Sequence, residues 1–339
     1  MLSKKSIKAC KIIKKIIKQY DKIVLIGHTR PDGDCYGSEF GLYHLIKDNY
    51  PSKEVHISGE VCEYVSFLGT PEIVSDEFLK EALVIAVDCG NVDRLADKRI
   101  SSALYSVKID HHDDSDEYAD MNWIVPAFSS CCEMIAWLAF VNRLNVDKSA
   151  GTAIYTGITT DTGDFKHFGV TSDTFLICSY LADCGVDVEE IASYTGARTL
   201  DTIKYTGYIY ENCKYTKNGV VYIKITKDIV EKYSLSYEKA AAGLNSIGYI
   251  EGYPVWFMAI EYPSEIRLRL RSKYEGINEF ARNYKGGGHS KAAGASLDSW
   301  DDLDRLLSDI DNFAKESKQK HEFSDLKNAV EIKEEFKES

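Results

Sequence analysis

Residues 22–28 (KIVLIGH), 82–88 (ALVIAVD) and 104–110 (LYSVKID) are short, rich in β-branched residues and almost continuously apolar. Runs of that length predict strands buried on both faces. Between the first two lie a helical pattern over 38–47 and a further strand at 54–57. Helical patterns follow over 129–145, 149–160 and 172–184. Strands separated by helices predict a mainly parallel sheet flanked by helices, an α/β fold. From residue 219 the pattern changes. VVYIKIT, VWFMAIEY and EIRLRLRSK alternate as half-buried strands do, around helices at 237–246 and 275–283. This predicts a second, smaller α+β domain. Residues 190–215 read as a helical connector with register changes near Gly196 and Gly207. The expected division is a first domain over 1–190, a helical linker over 191–215, a second domain over 216–320 and a charged, solvated tail over 321–339.

The N-terminus carries its own pattern. Residues 3–20 hold seven lysines and a helical apolar stripe at Cys10, Ile13, Ile16, Ile17 and Tyr20. They lack the unbroken apolar core and small-residue cleavage site of a signal peptide. A basic amphipathic helix can lie on a membrane surface, but a first helix packing its stripe on the domain core is the preferred expectation. The densest apolar stretch, 134–141, falls far short of the roughly 20 residues that span a bilayer. No transmembrane helix and no membrane partner are expected.

Charge and cysteine usage narrow the classes further. The 339 residues carry 41 Lys+Arg against 53 Asp+Glu, a net charge of −12. Affinity for long duplex nucleic acid comes from neutralising phosphates with Lys and Arg, so a duplex-coating protein is not expected. A small phosphate substrate is compatible, because bound divalent cations invert charge locally. Nine cysteines, an odd number with no CxxC pair, sit mostly in apolar segments such as Cys131-Cys132. That usage predicts reduced thiols in a cytoplasmic protein, with neither a disulfide framework nor a zinc site.

The candidate chemistry is positional. The first strand runs into His28-Thr-Arg-Pro-Asp32-Gly-Asp34, the second ends in Asp88-Cys-Gly-Asn91, and the third ends in Asp110-His111-His112. In open α/β sheets ligands bind at the carboxyl ends of the strands, so the three segments converge on one crevice. A fourth acidic cluster, Thr160-Asp161-Thr-Gly-Asp164, ends a helix where Gly163 permits a sharp exit. Alone, an HxxxD or DxD is usually a turn or cap, and an Asp after a strand is most often a helix N-cap. Together they place several carboxylates beside two or three histidines, and like charges a few ångströms apart repel unless a cation joins them. Asp/His ligation without cysteine suits Mn²⁺ or Mg²⁺, with the imidazoles favouring Mn²⁺. Six or so ligands fit two metals about 3.5–4 Å apart, the arrangement that clamps attacking and leaving oxygens in phosphoryl displacement.

The second domain offers Gly286-Gly-Gly-His289-Ser-Lys291-Ala-Ala-Gly294, a glycine run that lets backbone N–H groups approach an anion. Its bland reading is a flexible turn. Arg267, Arg269 and Arg271 alternate along one strand and share a face, which is either solvated or holds a phosphate or base.

His28-x-x-x-Asp32-x-Asp34, Asp88, Asp110-His111-His112 and Asp161 resemble the four motifs of the DHH phosphoesterase superfamily, and GGGHSKAAG resembles the signature of the associated DHHA1 domain. The resemblance spans roughly residues 15–315, and size and domain pairing are similar to the NrnA-like subgroup of short-oligoribonucleotide exonucleases (nanoRNases). It implies an α/β DHH domain, a smaller α+β DHHA1 domain and an active-site cleft between them. It further implies hydrolysis of short oligoribonucleotides to mononucleotides and removal of the 3′-phosphate of adenosine 3′,5′-bisphosphate (pAp). By the same resemblance His28, Asp32 and Asp88 hold one metal, and Asp34, Asp88, His111 and Asp161 the other, with Asp88 bridging. His112 faces the phosphate and Asp110 orients the histidine pair. Arg94, Arg271, Gly287, Gly288 and His289 are the implied substrate contacts. Family II inorganic pyrophosphatases lack the GGGH segment, and RecJ-type exonucleases are longer. None of the expected ligands is missing, and Cys35, Tyr36 and Cys89 occupy positions that vary freely in such motifs.

The implied partners are oligonucleotides of about two to five nucleotides, the length a two-walled cleft orients well, and pAp. Cyclic dinucleotides and a homodimer stay open. Two alternatives are carried forward. One keeps the chemistry but takes cyclic di-AMP or pApA; the other is a nucleotide-sensing, RNA-binding module without turnover.

Overall fold

The computed structural model describes residues 2–112, 115–166 and 169–335, without the side chains of His289 and residues 322–335. The chain divides into two units, Met1–Ala197 and Arg198–Ser339.

The first unit is built on α1 (Lys4–Gln19), β1 (Lys22–Ile26), α2 (Gly33–Asn49), β2 (Glu54–Ile57), α3 (Asp76–Lys80), β3 (Leu83–Val87), β4 (Tyr105–Asp110), β5 (Met121–Ile124), α4 (Cys131–Asn142), α5 (Lys148–Asp161), α6 (Ser172–Asp183) and α7 (Val188–Thr195). Its sheet has the order β2-β1-β3-β4-β5, and every pairing is parallel. Because side chains alternate across a strand, the apolar runs supply two cores at once. Ile23, Leu25, Ile85, Val87, Val107 and Ile109 pack under α1, α2, α4, α5 and α6. Val24, Ile26, Val84 and Ala86 face a thinner layer made by Leu79 of α3, by Leu95, and by Ile100 of the 3₁₀ turn Lys98–Ser102. Each fully buried Ile, Leu or Val contributes roughly 1.5–3 kcal/mol relative to exposure. The expected sheet is present, but its helical cover is unequal. β5 was not predicted: it is an edge strand that buries only Trp123.

α1 buries Cys10, Ile13, Ile16 and Ile17, as the core-packing reading expects, and turns its lysines outward. No helix among the described residues is long and apolar enough to cross a membrane.

The second unit contains α8 (Leu200–Asn212), β6 (Lys214–Tyr215), β7 (Val220–Ile225), α9 (Lys227–Lys232), α10 (Tyr237–Ala242), β8 (Val255–Glu261), β9 (Ile266–Ser272), α11 (Ile277–Arg282), β10 (Gly287–His289), β11 (Ala292–Leu297) and α12 (Leu303–Glu335). The strand order is β10-β11-β9-β8-β7-β6, parallel only between β7 and β8. Tyr205, Ile209, Ile223, Trp256 and Met258 form one core, and Phe257, Leu268, Leu270, Ile277, Leu306 and Ile310 the other. Three local expectations change. α8 runs through Gly207 without a break. α12 continues to Glu335, through most of the stretch expected as a tail. The glycine run is not an open nest: Gly287–His289 pair antiparallel with Ala292–Gly294 in a tight hairpin.

Candidate active site

The carboxyl end of the parallel sheet gathers the predicted motifs of the first unit. His28 follows β1 and Asp88 follows β3, while Asp110 closes β4 with His111 and His112 directly after it. Asp32 is the N-cap of α2, accepting the N–H groups of Asp34 (3.1 Å) and Cys35 (3.0 Å). Asp161 is the last residue of α5, and Gly163 just beyond it adopts φ +53°.

Asp88 sits at the centre and is buried. Its Oδ2 lies 3.6 Å from His28 Nε2, and its Oδ1 lies 3.4 Å from His111 Nε2 and 3.7 Å from His112 Nδ1. Asp32 Oδ2 is 3.9 Å from His28 Nε2. On the other side, His111 Nε2 is 3.7 Å from Asp34 Oδ2 and 3.5 Å from Asp161 Oδ2. All six residues implied as metal ligands therefore lie in one cluster. Asp88 itself has φ +52°, a left-handed conformation that costs a non-glycine residue roughly 1–3 kcal/mol.

The three histidines share one hydrogen-bonding logic. Nδ1 of His28 faces Thr29 O at 2.9 Å, Nδ1 of His111 faces Phe128 O at 3.3 Å, and Nδ1 of His112 faces Asp110 Oδ1 at 2.8 Å. A carbonyl or carboxylate only accepts, so each Nδ1 carries a proton, and when the ring gives up its second proton it is Nε2 that presents a lone pair. That is the tautomer a metal-ligating histidine needs.

Two features that position Asp34 were not legible in its motif. The N–H groups of Cys131 and Cys132, in the first turn of α4, donate to its Oδ2 (2.7 Å) and Oδ1 (2.9 Å). A helix N-terminus stabilises a carboxylate in this way. α2 also approaches α5 through glycines one turn apart. A Cβ on Gly33 would stand 2.2 Å from Thr160 Oγ1, one on Gly37 2.6 Å from Ala153 O, and one on Gly41 2.6 Å from Ile154 Cγ1. The close contact brings the start of α2, with Asp34, to the end of α5, with Asp161.

The electrostatics describe a site that collects positive charge. Burial opposes protonation of His28, yet Asp88 and Asp32 lift it to about 9. Burial likewise opposes protonation of His111, and Asp88, Asp34 and Asp161 lift it to about 10. Burial and the neighbouring carboxylates raise Asp34, and burial pushes Asp161 up to about 7. Asp88 is held well below the usual carboxylate range, against burial, by His111 and His28. Its Oδ1 is buried and accepts no hydrogen bond from the described residues. An acceptor-rich pocket that draws in protons, with an unpartnered oxygen at its centre, fits divalent cations. Cys35, treated as variable in the sequence, is buried with its Sγ accepting from His28 N at 3.2 Å, close enough to His28 and Asp88 to join a metal's surroundings.

Arg94 ends an exposed 3₁₀ turn, and its carbonyl accepts from Thr29 N at 2.7 Å, which ties that turn to the His28 loop. In the second unit Arg271 is half-buried on β9, in register with Trp256 and Ala292. With Arg267, Arg269, Lys285, Gly288 and Gly294 it lines a groove of about 440 Å³. Gly288 has φ +137°, and a Cβ there would stand 2.7 Å from Ala292 O, so the hairpin requires glycine. The His289 side chain lies outside the described residues.

Both units match known domain families. Residues 22–158 match the DHH family, N-terminal domain, and residues 219–316 match the DHHA1 domain. The chain is 36% identical over 303 residues to the bifunctional oligoribonuclease and PAP phosphatase NrnA of Bacillus subtilis, covering 88% of this chain and 97% of that one. It is 35% identical to the probable bifunctional oligoribonuclease and PAP phosphatase NrnA of Streptococcus mutans, covering 91% and 99%. The cyclic-di-AMP phosphodiesterase PdeA of Listeria monocytogenes is more distant, 24% identical over 84% of this chain and 46% of its own length. A crystal structure of an exopolyphosphatase-related protein from Bacteroides fragilis superposes with a TM-score of 0.82, covering 93% of this chain and 98% of that one at 23% identity, and shows the same fold. With both domains matched and such relatives sharing about a third of its residues along most of their length, the chain belongs to the DHH family, in the branch that joins a DHH to a DHHA1 domain.

Proposed function

We propose that this protein is a metal-dependent phosphoric ester hydrolase that cleaves short oligoribonucleotides to mononucleotides and removes the 3′-phosphate of pAp. The observation that carries the reading is Asp88, buried between His28 and His111, with one oxygen toward each and Oδ1 without a hydrogen bond among the described residues. The similarity to proteins named for both activities supplies the substrate class. His28, Asp32 and Asp88 would hold one divalent cation, and Asp34, Asp88, His111 and Asp161 a second. Two imidazoles among the donors, those of His28 and His111, favour Mn²⁺ over Mg²⁺. Bound there, the cations supply positive charge to the phosphoryl oxygens and acidify a nearby water. The chain's own groups do the rest. Asp110 accepts from His112 Nδ1 and raises the ring's affinity for a second proton, so that Nε2–H can donate to a phosphoryl oxygen. Arg94 and, in the second domain, Arg271 with Gly287, Gly288 and His289 bind the remainder of the substrate. Nine free cysteines fit a reducing, cytoplasmic setting.

The test is Mn²⁺-supported turnover on one panel: pAp, pApA, a pentanucleotide RNA, a 24-nucleotide RNA and cyclic di-AMP, with Asp88→Ala as blank. Release from pAp and the short linear substrates, with the long RNA spared, is expected. Fast opening of cyclic di-AMP with little pAp hydrolysis would favour the second reading, a cyclic-dinucleotide phosphodiesterase. Binding without Asp88-dependent turnover would favour a nucleotide-sensing module.

A further inference from the structure

β4 contains a residue that its apolar pattern does not explain. Lys108 lies between Val107 and Ile109, two positions before Asp110, and is fully buried. A buried ammonium survives only if its charge and its three donors are satisfied. Here Nζ donates to Gly90 O at 2.7 Å and to Asp116 O at 2.7 Å. It lies 3.5 Å from Asp110 Oδ2, itself fully buried, and 4.2 Å from the centre of the Tyr118 ring. These partners belong to the two loops that carry the site. Gly90 is in the loop after β3 that presents Asp88, and Asp116 is in the loop after β4 that presents His111 and His112. Further bonds join the same loops: Asp116 N donates to Gly90 O at 2.8 Å, and Tyr118 Oη donates to Cys89 O at 2.9 Å. Ser115 Oγ donates to Asp110 Oδ2, the oxygen that faces Lys108, while Oδ1 takes His112 Nδ1.

We propose that Lys108 is a positioning residue for the hydrolysis, fastening the Asp88 loop to the His111–His112 loop and fixing Asp110 in the rotamer that orients His112. A purely structural lysine would not need to lie beneath both loops at once, nor to share a carboxylate with the histidine that faces the phosphate. It touches neither substrate nor cation, and acts only through Asp110 and the two backbone carbonyls. The role rests on the proposed function.

Lys108→Met keeps most of the apolar stem and removes the charge and donors. Loss of an outer partner of this kind costs about 10–100-fold, so kcat on pAp with Mn²⁺ should fall by that factor while KM stays within about threefold. The amide of Asp116 should lose hydrogen-exchange protection in the same variant, a readout independent of turnover. Lys108→Arg, which keeps charge and donors, should recover part of both. A folded Lys108→Met protein with wild-type kcat, or with wild-type protection at Asp116, overturns the proposal. Should the Met variant not fold, the Arg variant decides: Asp116 protected with kcat within about tenfold of wild type is the expected result. A folded Arg variant with Asp116 unprotected and kcat intact overturns it. Failure of the wild-type enzyme to turn over pAp and short RNA would instead overturn the proposed function, and the exchange readout remains interpretable apart from it.

Discussion

Asp88 Oδ1 lies 3.4 Å from His111 Nε2 but accepts no hydrogen bond from it. Nδ1 faces Phe128 O, so Nε2 is the nitrogen turned toward the carboxylate, and the gap between them calls for positive charge: a proton on the ring in the metal-free protein, a cation in its place when metal binds. Asp88→Asn tolerates the left-handed backbone, since Asn populates it readily, and replaces the carboxylate by a neutral amide with a single acceptor oxygen. It should weaken Mn²⁺ binding by more than the roughly 10–100-fold typical of an outer partner, and abolish turnover on pAp. Calorimetric Mn²⁺ titration of the folded variant checks this; wild-type affinity would remove Asp88 from the metal-binding set.

The direction of the protonation shifts fixes a pH dependence. His28 and His111 titrate at about 9 and about 10 in the folded protein against an ordinary 6.5, and Asp161 at about 7 against 3.8. Groups raised on folding contribute stability that is fully present below the unfolded value and is lost as pH rises through the folded one. Asp88 is depressed and acts in the opposite sense, only on acidification below the usual carboxylate range. Metal-free protein should therefore lose stability between about pH 6.5 and 10, lowering Tm by about 2–4 °C for each 1 kcal/mol lost. Mn²⁺ replaces the protons, so its affinity should rise with pH and flatten the decline. Melting curves in chelator and in Mn²⁺, across that range, give the answer. A metal-free Tm independent of pH would contradict it.

The contact between α5 and α4 makes a further case. A Cβ on Gly157 would stand 2.1 Å from Cys132 Sγ and 3.0 Å from Asp34 Oδ1. Alanine's better helix propensity is worth about 1 kcal/mol, but overpacking a filled core costs about 1–3 kcal/mol, and Cys132, whose Cβ would lie 2.9 Å away, must give way. Gly157→Ala should be net destabilising and should also displace Asp34, lowering Mn²⁺ affinity. Denaturant midpoints with metal titration test both parts; a stabilised variant would show that the helices have room to separate.

Arg271 offers a binding test. Hydrogen bonds to a charged group contribute about 1.5–3 kcal/mol, roughly 10–100-fold. If Arg271 holds the far end of the substrate, Arg271→Ala should raise KM for a pentanucleotide by about that factor and leave kcat within about threefold. An unchanged KM would take it out of the binding set.

The parallel sheet was legible because β1, β3 and β4 are unbroken apolar runs, and the site was legible because its motifs follow those runs directly. What escaped depends on contacts remote in sequence. The N–H groups that hold Asp34 come from residues about a hundred positions away, and no local pattern around Cys131-Cys132 announces them. β5 buries a single residue and β10 is mostly glycine, so neither carries a strand signature. Lys108 was visible as a charged residue within an apolar strand, but its partners Gly90 and Asp116 are known only once the loops are folded. The run 286–288 reads in sequence as an anion nest or a flexible turn, and its pairing with β11 emerges only from the register.

The glycine contacts between α2 and α5 have a consequence for which ion the protein accepts. Side chains on loops can shift to suit cations of different radius, but Asp34 and Asp161 are carried by two helices whose separation is set by atoms in direct contact. That spacing is a property of the interior and does not adjust as a loop would. Discrimination between cations of unlike size would then be encoded in residues that never touch one, and a conservative exchange in the helix interface would alter it as surely as the loss of a ligand.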